Sequence, residues 1–422
     1  MNLKSTMSSK LDVAIIGGGI IGVSCAYELA KQGLQVAVFE KGTLGCEQSS
    51  RNWGWIRVVD RHLAEVPLAL RAQELWRSLQ QQIDVGYRET GLLYLQENED
   101  DHAGHQRWLE SVGRETTNAC LIGPDSVSRK LPSGNRKWTG ALYCPTDGVA
   151  EPAYATQRIA QLAQAAGCHV FEHCAVRGID TAAGAVSGVV TEHGRISASA
   201  VLCAGGVWSR LLCTNTGVAF PQLKVRATVF RTSPLDAGLE TSVNAKDFTC
   251  RKRADGGYTV SQFNTSYVDI VPDSFRLFSQ FLPTWLQNKG FVRLRFGKRF
   301  FEEMALPCRF DLDRISPFEL HRVLSPEPSA RAVMKGWKNL THSFPVFLNG
   351  RVDQAWGGYI DVTPDALPVI GPANEIPGLY LASGFSGHGF GIGPAAGELI
   401  AKIINGSRHE PNARPFRLER FH

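Results

Sequence analysis

The chain has no run of five like charges, no internal repeat and no low-complexity tract across its 422 residues. Its 45 basic and 40 acidic residues leave a net charge of +5, too mild and too dispersed for a nucleic-acid-binding face. None of the ten cysteines forms a Cys-x-x-Cys pair, so zinc-ribbon and thioredoxin-like readings have no support and no metal site is expected. Scattered thiols in a chain this long fit a reducing cytosol better than a disulfide framework. Long apolar runs are missing as well. The stretch from Val13 to Tyr27 is 15 residues, too short to span a bilayer and broken by glycines. From Ile376 to Gly397, 22 residues carry no Asp, Glu, Lys or Arg, but seven glycines and two prolines argue against a spanning helix. A loop-rich wall around a buried ligand fits that composition better. With 43% hydrophobic and 20% charged residues, general disorder is excluded and a large core is possible. The length suggests two or three domains.

Glycine is abundant, at 42 residues, and unevenly placed. Leu11 to Ile16 reads as a buried parallel strand, short and continuously apolar but for Asp12. Gly17-Gly18-Gly19-Ile20-Ile21-Gly22 follows at once, then a helix from Val23 to Gln32 ended by Gly33, then a strand from Gln35 to Phe39 closed by Glu40. This is the dinucleotide-binding fingerprint in its expected context. Gly17 permits the tight turn, Gly19 lets backbone approach a pyrophosphate, and Gly22 allows close helix–strand packing. Ile20 and Ile21 lie between Gly19 and the helix, whose N-terminus attracts phosphate. Glu40 can accept hydrogen bonds from ribose hydroxyls and argues against a 2′-phosphate. The motif alone does not separate FAD from NAD.

The other end of the chain carries the second cluster. Trp356-Gly357-Gly358-Tyr359-Ile360-Asp361-Val362-Thr363-Pro364-Asp365 leads through Gly371 to a strand, Leu379 to Ala382. Ser383-Gly384-Phe385-Ser386-Gly387-His388-Gly389-Phe390-Gly391 follows, then a helix expected from about Pro394 to Ile404. Successive backbone N–H groups beside a helix N-terminus would stabilise negative charge, such as that of a reduced flavin.

Together with Ser49-Ser50-Arg51-Asn52 and Val201 to Ser209, these blocks resemble the D-amino-acid-oxidase-like (DAO) superfamily of FAD-dependent oxidoreductases. The nearest branches are the sarcosine, glycine and γ-glutamylputrescine oxidases. Arg57 followed by Val66-Pro67-Leu68-Ala69-Leu70-Arg71 is particularly similar to the sarcosine oxidase branch. The resemblance implies an α/β fold with an α+β second domain: a discontinuous Rossmann-like FAD-binding domain (11–88, 140–214 and 350–406) and an antiparallel-sheet substrate domain (90–139 and 216–349), with tails at 1–10 and 407–422. It implies one FAD. Glu40 and Lys41 would border the adenosine ribose, and Ser49, Ser50, Arg51 and Asn52 the pyrophosphate and isoalloxazine. Val176 would lie by adenine, Ala204, Gly205 and Trp208 beside the cofactor, and Gly358, Gly387, His388, Gly389, Phe390 and Gly391 at the flavin edge.

The departures are informative. Where some members attach flavin through cysteine, this chain has Gly358, so noncovalent FAD is expected. Cys46, near the flavin loop, matches no attachment position. The substrate-carboxylate cations of related enzymes are replaced by Ile360 (arginine in D-amino acid and glycine oxidases) and Gly391 (lysine in sarcosine oxidases). This tilts the reading towards an amine whose reacting carbon need not bear a carboxylate. Arg57 is read either as the sarcosine-oxidase flavin-loop arginine or as a surface or pyrophosphate-facing charge. Arg226, Arg251 and Arg253 are further candidates. Thr259 stands near the position of an oxygen-activating lysine, which makes dehydrogenase behaviour an alternative.

The expected reaction converts a C–N bond to an imine, which water hydrolyses, with flavin as hydride acceptor. His388 is the best polar catalytic candidate, with Arg57 for substrate charge. Trp53, Trp55, Tyr359 and Phe390 are candidates for an aromatic pocket. Competing readings are a D-amino-acid-type dehydrogenase feeding a quinone, a 2-hydroxy-acid oxidase, and a noncatalytic flavoprotein subunit of a larger complex. An NAD dehydrogenase leaves the C-terminal block unexplained. The partner is a small-molecule amine or amino acid, not nucleic acid. Phe281 to Phe301 mixes aromatics with Lys289, Arg293, Arg295, Lys298 and Arg299. It is either an amphipathic covering of the substrate domain or a peripheral membrane contact of an otherwise cytoplasmic protein.

Overall fold

The computed structural model describes residues 10–113, 116–263, 266–287, 290, 292–406 and 410–421. The expected N-terminal tail lies outside the described residues except for exposed Lys10, and so does Lys289.

β1 (Leu11–Ile16), α1 (Ile20–Ala30) and β2 (Val36–Phe39) form the unit that the glycine motif predicts, with α1 beginning three residues earlier than expected. α2 (Val66–Gln82) lies against the outer helices, and β3 (Gly194–Cys203) returns beside β1. β1 pairs in parallel with β2 on one side and β3 on the other. Helices cover this sheet on both faces, which is why β1 and β2 read as nearly unbroken apolar runs. The sheet has eight strands, with 169–171 beyond β2 and an antiparallel extension, 176–182 and 185–191, beyond β3.

A second, ten-stranded and largely antiparallel sheet is built around β4 (Leu223–Thr232). Its long partner is β5 (Val352–Val362), in a register that sets Tyr359 opposite Arg226 and Gly358 opposite Ala227. The hairpin expected between 247 and 263 is present, as Phe248–Lys252 paired with Tyr258–Gln262. β6 (Leu379–Ser383) then rejoins the first sheet alongside β3, and α3 (Gly389–Ile404) packs against both α1 and α2.

Three features depart from expectation. Gly140–Cys144 and β5 pair in the second sheet, not the first, because their ladder partners are Leu92–Gln96 and β4. The residues at 410–421 are no free tail: Ala413, Phe416 and Leu418 are buried against the first sheet's cores. α3 starts five residues before Pro394, with His388 as its N-cap. Pro394 gives the Phe390 carbonyl no N–H, while Trp76 Nε1 donates to the next carbonyl, Gly391, at 2.8 Å.

The α1–α3 contact is at backbone distance. A Cβ on Gly397 would lie 2.6 Å from Ser24 Cβ and 2.7 Å from Cys25 N, and one on Gly393 would meet Ile20 at 2.8 Å. Gly397→Val should therefore destabilise by about 2–3 kcal/mol in urea unfolding and lower FAD retention. Gly104→Ala, in the interior of helix 99–112 with only the Arg107 guanidinium at an ordinary 3.9 Å, should instead stabilise by about 0.5–1 kcal/mol. Equal effects of the two variants would refute the close-packing account.

Candidate functional site

A cavity of about 480 Å³ runs between the two sheets. At one end, Gly17 holds φ +107°, and a Cβ there would strike the Ala204 carbonyl at 2.5 Å. Glu40 braces the glycine loop: its carboxylate accepts Gly18 N–H at 2.8 Å and Gly42 N–H at 2.7 Å. Burial pushes this carboxyl above its ordinary pKa. Ser49 Oγ accepts Ile20 N–H at 2.9 Å at the start of α1. Lys41 donates to Glu47 and to the carbonyls of His321 and Arg322.

Most of the sequence-expected residues line this one cavity: Gly17, Gly19, Ile20, Ile21, Glu40, Lys41, Ser49, Arg51, Asn52, Val176, Ala204, Gly205, Trp208, Gly358, Tyr359 and Gly387 through Gly391. Two do not. Gly22 packs on the turn, where a Cβ would lie 2.0 Å from Gly17 O. Ser50 turns its hydroxyl to the Glu47 carbonyl. Arg51 spans to the Leu324 and Gly357 carbonyls, and Asn52 stays within its own loop.

The loop 383–388 is held by Asp361, which is buried at the end of β5. Its carboxylate accepts Gly384 N–H at 2.7 Å, and its carbonyl accepts Ser386 N–H at 2.8 Å. The loop places Ser386 at φ +52° between Gly384 and Gly387, both also left-handed. A side-chain-bearing residue persists there only where surroundings impose it.

The other end of the cavity is aromatic and cationic. Trp53, Trp55, Tyr94, Phe263 and Tyr359 line it, with Trp53 edge-on to Trp55 at 4.8 Å. Asp147 is fully buried and pins the 57–61 loop, accepting Val58 N–H and Gln73 Nε2–H at 2.8 Å and Val59 N–H at 3.4 Å. That loop delivers two arginines to the cavity. Arg57 donates to the Val59 carbonyl and lies over the Tyr94 ring. Arg61 is 3% exposed, and its Nη1 has no partner among the described residues. Burial, with Arg57 nearby, pushes its pKa down to about 10. His388 Nδ1 meets the carboxylate of Glu65, which has no exposed surface, at 3.0–3.1 Å.

Arg61 and Glu65 escaped the sequence reading. Glu65 precedes Val66-Pro67 and looks like an exposed helix-start acid; the only cue to Arg61 is its spacing from Arg57. Arg226, Arg251 and Arg253 do not line the cavity. Arg251 is bound to Glu151 and the Trp53 carbonyl, so it positions a wall residue. Thr259 is also off the cavity, accepting from Arg253 at 3.2 Å, so it supplies no argument about oxygen reactivity. Among the described residues no cluster of His, Cys, Asp and Glu could hold a metal, and no helix is long and apolar enough to cross a membrane.

The model of the DAO family, FAD dependent oxidoreductase, matches residues 12–403. The chain belongs to the FAD-dependent oxidoreductase (DAO) family. It is 28% identical to glycine oxidase from Geobacillus kaustophilus over 98% of both chains. Its fold matches L-amino acid deaminase from Proteus myxofaciens, in complex with anthranilate, with a TM-score of 0.94 and 32% identity over 99% of this chain and 94% of that one. The Proteus vulgaris L-amino acid deaminase aligns with a TM-score of 0.93 and 28% identity over 97% of each. FAD is the cofactor of this family, and the residues present fit it: a cradle that excludes Cβ at Gly17, the α1 N-terminus and the braced loop at 383–388 all face one cavity. Gly358 leaves no nucleophile at the family's attachment position.

Asp361 gives a pH test. Burial raises its pKa to about 6, above the unfolded carboxyl value. The folded state then holds the proton more tightly, so this group's contribution to stability falls as pH rises from about 4 to 6. Asp361→Asn still accepts from Gly384 but cannot ionise. The Tm of the variant minus that of the wild type should rise across that window and level off above it. A flat difference in differential scanning fluorimetry would refute the assignment.

Proposed function

We propose that this flavoenzyme oxidises the C–N bond of an α-amino acid bearing an apolar or aromatic side chain, releasing an imine that water hydrolyses. The observation that carries it is Arg61. The residue lines the cavity, its guanidinium is buried with no partner for Nη1 among the described residues, and its Nη2 stands 3.5 Å from where a Cβ on Gly391 would be. Gly391 is the position at which sarcosine oxidases carry a lysine. A cation is therefore present in the space where the sequence showed none, supplied by a different loop. Two neighbouring cations, the half-buried Arg57 and the buried Arg61, are stabilised by a bound carboxylate. This reading favours a carboxylate-bearing substrate over the carboxylate-free amine towards which the sequence tilted.

The likeness to glycine oxidase and L-amino acid deaminase supports the same class, and anthranilate itself carries a ring, an amino group and a carboxylate. In this reading Gly17, Gly19, Ile20 and Ile21 approach the pyrophosphate and Glu40 the ribose. Val176 and Trp208 flank the adenine half, and Gly387 through Gly391 edge the flavin ring. FAD, when bound, accepts a hydride from the substrate carbon and so takes both electrons of the oxidation. Arg61, with Arg57 behind it, orients the carboxylate. Trp53, Trp55, Phe263 and Tyr359 enclose the side chain and keep water from the reacting carbon.

Anaerobic bleaching of the bound flavin by glycine, sarcosine, L- and D-phenylalanine and phenethylamine tests the assignment. The amino acids should outcompete the carboxylate-free amine. Arg61→Met should raise the amino-acid KM about 100-fold or more, from loss of a charge-assisted hydrogen-bonded pair, and leave phenethylamine within about 3-fold. Equal losses with both would sink the carboxylate assignment.

A second reading concerns the segment 272–304. Phe275, Phe278, Leu286, Leu294, Phe296, Phe301 and Met304 are all exposed there, beside exposed Arg293 and the 92%-exposed Lys298 side chain. Exposed aromatics beside Arg293 and Lys298, the latter loosely paired with Glu302 at 3.6 Å, suit an anionic lipid surface. Phe296→Ser/Phe301→Ser should abolish flotation with phosphatidylglycerol vesicles. Wild-type protein that stays with the soluble fraction would eliminate this reading.

A further inference from the structure

We infer that Glu65 is a positioning residue that fixes His388 in the tautomer able to deprotonate the substrate ammonium. The inference rests on the amine-oxidation reading above. An amino acid reaches the cavity at neutral pH as an ammonium, whose nitrogen has no lone pair. It cannot form a C=N bond until one N–H proton is removed, so an acceptor must face the cavity.

The lining offers few acceptors. Arg57 and Arg61 are cations. Burial pushes the Tyr94 and Tyr359 phenols above their ordinary range. The Glu40 and Asp361 carboxylates hold backbone N–H groups at the cofactor end. Glu47 is taken up by Lys41 and the Leu324 N–H, and Asp60 lies on the exposed turn of the 57–61 loop. His388 is the one histidine of the lining.

Its Nδ1 sits 3.0–3.1 Å from both oxygens of Glu65. An ionised carboxylate only accepts hydrogen bonds, so Nδ1 carries the hydrogen and Nε2 carries the lone pair. Nε2 has no partner among the described residues. Burial raises the Glu65 carboxyl's pKa, but the hydrogen bond from His388, with the charges of Arg61 and Arg57, acts against it and the carboxyl stays below its ordinary value, hence ionised. Burial and the Arg61 charge lower the His388 pKa, so the ring is neutral and ready to accept.

Glu65 does not line the cavity, so it acts only through His388. Other charged or ionisable groups near the pair are Arg57, Asp60 and Arg61 from the loop, Tyr94 from the 92–96 strand and Asp147 from the turn before Gly148–Val149. Both arginines oppose an imidazolium, and Glu65 is the anion in hydrogen-bond contact with it. The step balances: one ammonium N–H bond breaks, its electron pair stays on nitrogen, and the proton goes to Nε2. The resulting imidazolium faces the Glu65 carboxylate, so the transfer moves charge across the cavity without changing its total.

Two measurements on the FAD-loaded protein test this. Nitrogen-15 NMR of histidine-labelled enzyme, with the His388 signal assigned by its loss in His388→Gln, should show the Nδ1–H tautomer. An Nε2–H tautomer overturns the proposal without reference to any substrate. The flavin-bleaching rate, read with the fastest donor of the panel above, should fall about 10²-fold in both Glu65→Gln and His388→Gln. The donor's Kd should change less than about 3-fold, and flavin content should be retained. The double variant should be no slower than the slower single variant. In Glu65→Gln, loss of the anion lowers the His388 pKa, so the acid limb of the rate profile should move to lower pH. Additive losses, or a Glu65→Gln profile superimposable on the wild type, overturn the proposal. If Arg61→Met proves neutral while these results hold, the carboxylate assignment fails alone.

Discussion

The crossing of α1 and α3 is the constraint on which the site depends. Gly393 lies against Ile20 and Gly397 against Ser24, so helices more than 350 residues apart in sequence approach to backbone distance. Both begin at the cavity: α1 after Gly19 and α3 after His388. Two helix N-termini thus converge on one elongated space, and each favours negative charge. One end suits a pyrophosphate and the other an electron-rich ring. The two glycine clusters are the two halves of this arrangement.

The substrate end works by a different principle. Here the fold buries charge. Asp147 fixes the 57–61 loop through backbone N–H groups, and the loop commits Arg57 and Arg61 to the cavity wall. Leaving a guanidinium N–H unpartnered costs free energy that a bound carboxylate recovers. Glu65 and His388 are paired close by. The guanidiniums and the Glu65–His388 pair are kept on separate partners, and on the proposed reading this would let the cavity hold a zwitterion without either function neutralising the other.

Much of the cofactor end was legible because its determinants are contiguous. Gly17 to Gly22 with Glu40, and Ser383 to Gly391, carry turn and helix start within short windows, and most of them line the cavity. The position of α3 was less so: Pro394 reads as a helix start, but the glycines before it pack close enough to extend the helix back to Gly389. Arg61 was invisible because its meaning comes from Gly391, some 330 residues away. Glu65 was misleading because a carboxylate before Val66-Pro67 has an adequate local explanation in the helix dipole.

Local sequence therefore determined the parallel strand–helix–strand unit, the FAD family and the glycine-rich loop before α3, since these follow from backbone freedom at glycine and from apolar runs read in order. Only the tertiary structure decided which charges face the cavity. A side chain's electrostatic role depends on what is buried beside it, and burial is set by the packing of distant segments. Arg251, Arg57 and Arg61 are alike as letters. The fold ties the first to Glu151, curls the second back onto its own loop and leaves the third with an N–H to offer.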